Sequence, residues 1–327
     1  MKSSEIRKVI GDRLQVIGDE DLDIRYLLID SRQLSTISYQ PSEVLFFAIK
    51  TAKNDGAKYI PELEAKGVRA FVTGDALAAL QDLAAYVRSQ FTGIVIGITG
   101  SNGKTVVKEW LYQLLKADYT VIRSPKSYNS QIGVPLSVWQ LDQRGPYWTN
   151  DKRPIAIFEA GISQPEEMEK LERIIRPTIG VITFIGHEHD ENFASLEQKR
   201  AEKMKLFVHS EQVIEDPTHQ NVRTCAAVLR ALGYDEETIS ARILRQTHET
   251  VLTVNLSALI DNVRYFRSLL KPTTRLTCMV KAFAYGAGSV DVSKALQEAR
   301  GERRMNPWWT IWRSRLQTKE SSCGAQE

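Results

Sequence analysis

Residues 94–117 read IVIGITGSNGKTVVKEWLYQLLKA, and this stretch decides the fold around it. The apolar run IVIGIT predicts a buried strand, GSNG predicts a tight turn, and the remainder has the period of an amphipathic helix. Backbone N–H groups of such a turn, together with the helix N-terminus, bind phosphates. A lysine there reaches the β- and γ-phosphates, and the next hydroxyl binds Mg²⁺. The predicted ATP-binding residues are Gly100, Ser101, Asn102, Gly103, Lys104 and Thr105.

A glycine-rich turn with a merely solvated Lys104 is the alternative interpretation of this stretch. The neighbouring segments favour the nucleotide site, because the strand-like runs YTVIRS, PIAIFEAG and TIGVITFIG alternate with helical patterns. This alternation predicts an α/β fold with a parallel sheet covered on both faces. We expect a small α/β domain over residues 1–92 and the nucleotide-binding domain over residues 93–246.

Composition places the chain among ordinary globular proteins. It has 327 residues, of which 43% are hydrophobic and 25% charged, enough for about two domains. No run of about 18 apolar residues or signal-peptide pattern occurs, so we expect a cytoplasmic protein without a membrane partner. The net charge of +3 lies entirely in residues 300–327, which argues against a nucleic-acid partner. Three widely spaced cysteines suggest neither a disulfide framework nor a zinc ribbon.

The pattern GxxGxxGKT over residues 97–105 resembles the ATP loop of the Mur ligases and the related folylpolyglutamate synthases. The resemblance implies an enzyme that activates a carboxylate as an acyl phosphate, which an amine then attacks to form an amide. Asp30-Ser31-Arg32 and LFFAIKTAKNDG (residues 45–56) look like the uridine-nucleotide-binding domain of the Mur ligases, which folylpolyglutamate synthases lack. By this resemblance Ser31 and Arg32 bind substrate.

Four further residues are assigned by the same resemblance. Asn129 lies in a segment similar to the Asn-rich loop before IGVP, which approaches substrate and phosphates. Glu159 ends the strand IAIFE, where a carboxylate can meet Mg²⁺, although spacing alone leaves a solvated acid equally open. His189 matches the histidine that helps to bind a second Mg²⁺. Lys203 matches the carbamoylated, metal-bridging lysine, with a solvated surface lysine as the alternative.

Residues 247–299 resemble the start of alanine racemase, a pyridoxal-phosphate (PLP) enzyme on a (β/α)₈ barrel. MVKAFAYG (residues 279–286) is similar to its VKANAYG signature, in which the lysine, here Lys281, forms the Schiff base. The order of the two motif sets implies a ligase that joins D-alanyl-D-alanine to UDP-N-acetylmuramoyl-tripeptide, fused to a racemase that supplies D-alanine. Its cofactors would be ATP and Mg²⁺, with PLP in an intact racemase half only.

Both halves look incomplete beside these families. The ligase resemblance lacks strands after Phe207 and a C-terminal domain after Arg245, and the racemase resemblance ends after one βαβ unit. We therefore expect weak ATP binding, no amide formation and no PLP on Lys281. A non-catalytic nucleotide-binding remnant and another Mur ligase remain open.

The tail over residues 300–327 has no sustained period and contains Trp308, Trp309 and Trp312. Codons compatible with this tail, read one base early from Pro307, can spell VVDYLAVAVADEGIELRRAG, which resembles the next strand and helix of the racemase. We therefore expect a frameshifted and disordered tail.

Overall fold

The computed structural model describes residues 1–52, 54–142, 152–186, 192–218, 220–248, 254–271, 273–274, 276–279, 292, 294–296 and 309–312. The chain divides into two compact units, Met1–Thr247 and His248–Glu327. The proposed subdivision at residues 92, 246 and 299 stays a prediction. No helix in the described part of the chain is long and apolar enough to cross a membrane.

The first unit begins with a four-stranded sheet. Strand order is β1-β4-β3-β2, with β1 antiparallel to β4 and the other pairs parallel. The elements are α1 (Ser3–Ile10), β1 (Leu14–Val16), β2 (Tyr26–Leu28), β3 (Val44–Phe47), α2 (Ile60–Ala65), β4 (Ala70–Val72) and α3 (Ala76–Ser89). The sequence interpretation did not include α1 or β1. A three-residue strand has too few positions to show a period.

A five-stranded parallel sheet follows in the same unit. Its order is β6-β7-β5-β8-β9. The strands are β5 (Ile94–Thr99), β6 (Thr120–Arg123), β7 (Pro154–Glu159), β8 (Ile179–Ile182) and β9 (Gln212–Glu215). The helices are α4 (Lys104–Leu115), α5 (Gly133–Val138), α6 (Glu167–Ile175), α7 (Leu196–Met204), α8 (Asn221–Ala231) and α9 (Glu236–His248).

Helices cover both faces of this sheet. Ala156 and Phe158 of β7 pack in a cluster that includes residues of α3, α5 and α6, whereas Ile155 and Ile157 pack with residues of α4, α8 and α9. Successive side chains of a strand point to opposite faces, so the apolar run of β7 serves both layers. The predicted α/β fold is confirmed. The carboxyl ends of β5 and β7 lie side by side, which brings the loops after them together.

One strand of this sheet was missed. The segment after Phe207 was expected to lead directly into helices, but Gln212–Glu215 forms β9 at the edge of the sheet, parallel to β8. Only Ile214 of this strand is buried. An edge strand has one neighbour and needs few apolar residues, so its sequence is a weak strand signal.

The second unit contains α10 (Leu256–Ser268), β10 (Leu276–Met279) and β11 (Trp309–Trp312). Strand β11 pairs parallel to β10. The tail was expected to be disordered, and for Trp309–Trp312 the structure differs from that prediction. Tryptophan, threonine and isoleucine all favour strands. The rest of the tail lies outside the described residues.

Candidate functional site

The loop between β5 and α4 needs glycine at two positions. Gly100 and Gly103 have φ angles of 146° and 89°, which side chains rarely adopt. A Cβ atom would lie 2.0 Å from Thr183 Oγ1 at Gly100 and 2.6 Å from Asn221 Oδ1 at Gly103. These two glycines therefore allow the turn itself and also let the loop pack closely against the end of β8 and the start of α8.

Two lysines reach the carbonyl side of this loop. Lys104 Nζ donates to the carbonyl oxygens of Gly100 at 2.9 Å and Ser101 at 2.7 Å, and Lys203 Nζ of α7 donates to Gly100 O at 3.1 Å. The two ammonium groups therefore converge on Gly100. Such convergence suits a polyanion such as the phosphates of a nucleotide.

The amide side of the loop is partly engaged within the protein. The N–H groups of Ser101 and Asn102 both donate to Phe184 O, at 2.7 and 3.2 Å. The Ser101 hydroxyl also donates to Gly186 O at 3.1 Å and accepts from Gly186 N at 3.0 Å. In this structure these contacts tie the loop to residues 184–186. The first turn of α4, which begins at Lys104, carries N–H groups that have no intrahelical partner and can receive phosphate.

Thr105 and Glu159 meet at the carboxyl edge of the sheet. The Thr105 hydroxyl donates to Glu159 Oε2 at 3.0 Å, and the Glu159 side chain is fully buried at the end of β7. Glu159 Oε1 accepts no hydrogen bond, although Lys108 Nζ lies 2.8 Å from it as an ion pair. A hydroxyl beside a buried carboxylate fits Mg²⁺, which usually takes one or two protein carboxylates and completes its shell with phosphates and waters.

No group of three or more His, Cys, Asp or Glu within the described residues could hold a metal ion by itself. We therefore predict that Thr105 and Glu159 bind Mg²⁺ only together with the phosphates of a nucleotide. His189, the third predicted metal ligand, lies outside the described residues, as does Lys281.

A cavity of about 500 Å³ opens beside the loop. Its wall joins the phosphate loop to the segment around Asn129 and to helix α7. A backbone hydrogen bond positions Asn129, because its carbonyl oxygen accepts from Gly161 N at 2.8 Å. Residues that line it include Gly100, Lys104, Asn129, Lys199 and Lys203.

Lys199 was missed by the sequence interpretation. It is only 2% exposed and donates to Gly186 O at 2.6 Å. The available signal was its spacing, because residues four apart lie on the same face of a helix and Lys203 was already a candidate. Lysines are rarely buried, so two on one face of α7 mark that face as part of the site.

Ser31 and Arg32 are not among the described residues that line this cavity. They begin a short 3-10 helix, Ser31–Thr36, whose first turn is capped by Asp30. The Arg32 side chain is 88% exposed and pairs with Asp30 at 2.7 Å, and its hydrogen bond lowers the pKa of that carboxyl. Their substrate-binding role stays a prediction.

Comparison with known proteins matches most of the first unit. Residues 98–258 match the Mur ligase middle domain, and residues 254–303 match the alanine racemase N-terminal domain. The UDP-N-acetylmuramoyl-tripeptide–D-alanyl-D-alanine ligase of Borreliella burgdorferi is 31% identical over 228 residues, 63% of this chain and 46% of the relative. The ligase of the same name from Bacillus subtilis is 29% identical, over 55% of this chain and 43% of the relative.

The chain thus spans less than half the length of these two curated relatives. Two crystal structures of MurF from Acinetobacter baumannii share the fold at 19% and 16% identity, with TM-scores of 0.61 and 0.63. They cover 77% and 94% of this chain, which in turn covers 68% and 89% of theirs. The chain therefore has a parallel-sheet α/β fold of the Mur ligase type, and its residues 98–258 match the middle domain of that family.

Proposed function

We propose that this chain binds Mg·ATP and derives from an ATP-dependent ligase of peptidoglycan precursor synthesis. The reaction of that ligase joins D-alanyl-D-alanine to UDP-N-acetylmuramoyl-tripeptide through an acyl phosphate. The observation that carries the proposal is the contact of Glu159 with Thr105, the residue that follows Lys104 in the phosphate loop. The relatives that bear this ligase name support the choice of substrates.

In the proposed reaction the first turn of α4 and Lys104 hold the phosphates of ATP. A carboxylate oxygen of the tripeptide attacks the γ-phosphorus, the bond from that phosphorus to the β,γ-bridging oxygen breaks, and ADP leaves. The amine of the dipeptide then attacks the acyl carbon and phosphate leaves. Mg²⁺ supplies charge neutralisation on the phosphate oxygens. Thr105 and Glu159 would hold it, while Lys104 offsets the negative charge of the transferring group. The role of Lys203 as a carbamoylated, metal-bridging lysine stays a prediction.

We propose that the second unit derives from an alanine racemase fused to the ligase. The family match over residues 254–303 supports a racemase origin. Lys281 would be the PLP lysine of that half. The absence of PLP on Lys281 stays a prediction. A cytoplasmic location likewise stays a prediction.

The decisive experiment measures ATP binding to the whole chain by calorimetry in excess Mg²⁺. We expect Lys104→Ala to weaken binding by about tenfold or more, since charge-assisted contacts to phosphate contribute roughly 1.5–3 kcal/mol. Lys116→Ala is the matched control, because Lys116 is an exposed lysine at the other end of the same helix. Equal loss in both variants, or no binding by the unaltered chain, would refute the nucleotide site.

A second measurement separates the ligase from the non-catalytic alternative. The chain is incubated with ATP, the UDP-linked tripeptide and D-alanyl-D-alanine, and the pentapeptide product is sought by mass spectrometry. We expect binding without product, because amide formation requires the amine and the acyl phosphate to be held together, which a phosphate loop alone does not do. Product formation would show that the chain is an active ligase. Product with L-lysine or diaminopimelate and the shorter UDP-linked precursor would instead indicate another Mur ligase.

A further inference from the structure

Lys108 is a fully buried lysine, at 0% exposure, on the inner face of helix α4. It lies one helical turn after Lys104. Its ammonium group donates to Ser124 O at 2.8 Å and to Lys126 O, and it lies 2.8 Å from Glu159 Oε1. A second carboxylate oxygen, Glu109 Oε1, is 3.2 Å away. The ammonium therefore has more partners than it has protons.

A buried ammonium is costly unless it is paired, so its presence on this apolar face needs a reason. The neighbouring buried positions of α4, Val107 and Leu111, are aliphatic, and an aliphatic side chain at 108 would avoid the desolvation of the ammonium group. An aliphatic side chain could not make the hydrogen bonds and the ion pair that link three segments. Lys108 joins α4, the end of β7 and the loop after β6 that leads to Asn129.

The two oxygens of Glu159 have different neighbours. Oε1 faces Lys108, whereas Oε2 accepts from the Thr105 hydroxyl. The ion pair therefore leaves Oε2 as the oxygen on the side of the Thr105 hydroxyl. Lys126 has a φ of 50°, in the region that side chains rarely adopt, and the hydrogen bond from Lys108 to its carbonyl oxygen helps to hold it there.

We propose that Lys108 is a positioning residue that fixes the Glu159 carboxylate, with one oxygen turned toward Thr105, as a preformed ligand for the Mg²⁺ of a bound nucleotide. The inference rests on the proposed function, because it needs Mg·ATP at this loop. Lys108 itself does not touch the nucleotide. Its effect is on how strongly the metal and the nucleotide reinforce each other's binding, which is a coupling free energy between two ligands.

The test compares ATP binding in excess Mg²⁺ with ATP binding in EDTA, for the unaltered chain and for Lys108→Met. The ratio of the two dissociation constants measures the coupling, and complexation of ATP with Mg²⁺ in solution affects every variant alike. We expect the ratio to fall by about fivefold or more in Lys108→Met, the lower end of typical couplings. Lys116→Met is the control and keeps the ratio of the unaltered chain, since this lysine is exposed at the end of α4.

A double variant distinguishes positioning from general loss of structure. If Lys108 acts through Glu159, then adding Lys108→Met to Glu159→Gln leaves the ratio of the single Glu159→Gln variant unchanged. The double variant also removes both buried charges, so we expect its thermal midpoint to exceed that of Lys108→Met alone. If Lys108→Met does not fold, the comparison of Glu159→Gln with the double variant can still overturn the inference.

Three results would overturn the inference. The first is an unchanged ratio in folded Lys108→Met. The second is a further fall of the ratio when Lys108→Met is added to Glu159→Gln. The third is the absence of ATP binding by the unaltered chain, which would overturn the proposed function as well and is recognised before any variant is measured.

Discussion

Helices α4 and α10 have similar patterns of apolar and polar residues but opposite environments. Each has an amphipathic pattern and is followed along the chain by a strand. Helix α4 buries five side chains between the parallel sheet and α8, and Leu111 among them is fully buried. Helix α10 buries none, and Tyr265, Phe266 and the adjacent Leu269 are each about 60% exposed.

The difference shows what an amphipathic pattern encodes. It encodes a helix with one apolar face, and it does not encode whether a sheet lies against that face. In the first unit the sheet has helices on both faces, so α4 is held by tertiary contacts. The same tertiary contacts bury Lys108 and Glu159 and create the site. We therefore expect that substitutions in the two helices have very different effects.

The largest contrast should appear between Leu111→Ala and Leu269→Ala. Leu111 is 0% exposed and Leu269 is 63% exposed. We expect Leu111→Ala to lower the free energy of unfolding of the first unit by about 2–5 kcal/mol, because it leaves a cavity. For Leu269→Ala the change should stay within about 0.5 kcal/mol.

Urea unfolding followed by circular dichroism measures both changes. The two variants delete the same atoms, so each serves as the control for the other. A cost of 2 kcal/mol or more at Leu269, on the scale expected for buried leucines, would mean that something covers α10 in solution and would break the contrast.

The next contrast concerns thiol reactivity. Cys225 of α8 is 1% exposed beneath α4, and burial raises the pKa of its thiol to about 12. At pH 8 this lowers the thiolate fraction by roughly a thousandfold. Only the thiolate reacts with iodoacetamide, so labelling slows accordingly. In a Cys278→Ser/Cys323→Ser variant we expect iodoacetamide to label Cys225 slowly in buffer and rapidly in urea, as followed by mass spectrometry. Rapid labelling in buffer would show that α8 does not stay packed on α4.

The smallest expected effect is a pH dependence of stability that comes from Asp118, just after the C-terminal end of α4. A hydrogen bond from the Tyr234 hydroxyl, aided by Arg242 at 2.6 Å, lowers the pKa of Asp118. A carboxyl with a lowered folded-state pKa stabilises the fold above its ordinary pKa, and that stability is lost as pH falls through the folded value. Asp118 is 40% exposed, so solvent screening limits the contribution to about 0.5 kcal/mol.

Asp118→Asn should therefore lower stability slightly at pH 7 and should remove part of the loss that the unaltered chain shows below about pH 4. Thermal unfolding between pH 3 and 7 measures both. Parallel stability curves for the two proteins would show that Asp118 does not contribute to the pH dependence.

The sequence by itself determined the local architecture of the nucleotide loop. The apolar run, the glycines and the helix period predicted β5, the turn and α4, because each depends on neighbouring residues only. The end of IAIFE likewise placed Glu159 at the carboxyl edge of a strand. Sheet strands in parallel order bring such ends together, which is why Thr105 and Glu159 could be paired before the structure was known.

Tertiary structure alone decided which charged side chains are buried. Nothing in the residues next to Lys108 separates it from an exposed lysine such as Lys116, and the only signal for Lys199 was its spacing from Lys203. Tertiary packing buries both side chains. The edge strand β9 and the engagement of the Ser101 N–H with Phe184 also depend on residues distant in the chain. Burial is a property of what lies opposite a side chain, and the sequence around that side chain does not contain it.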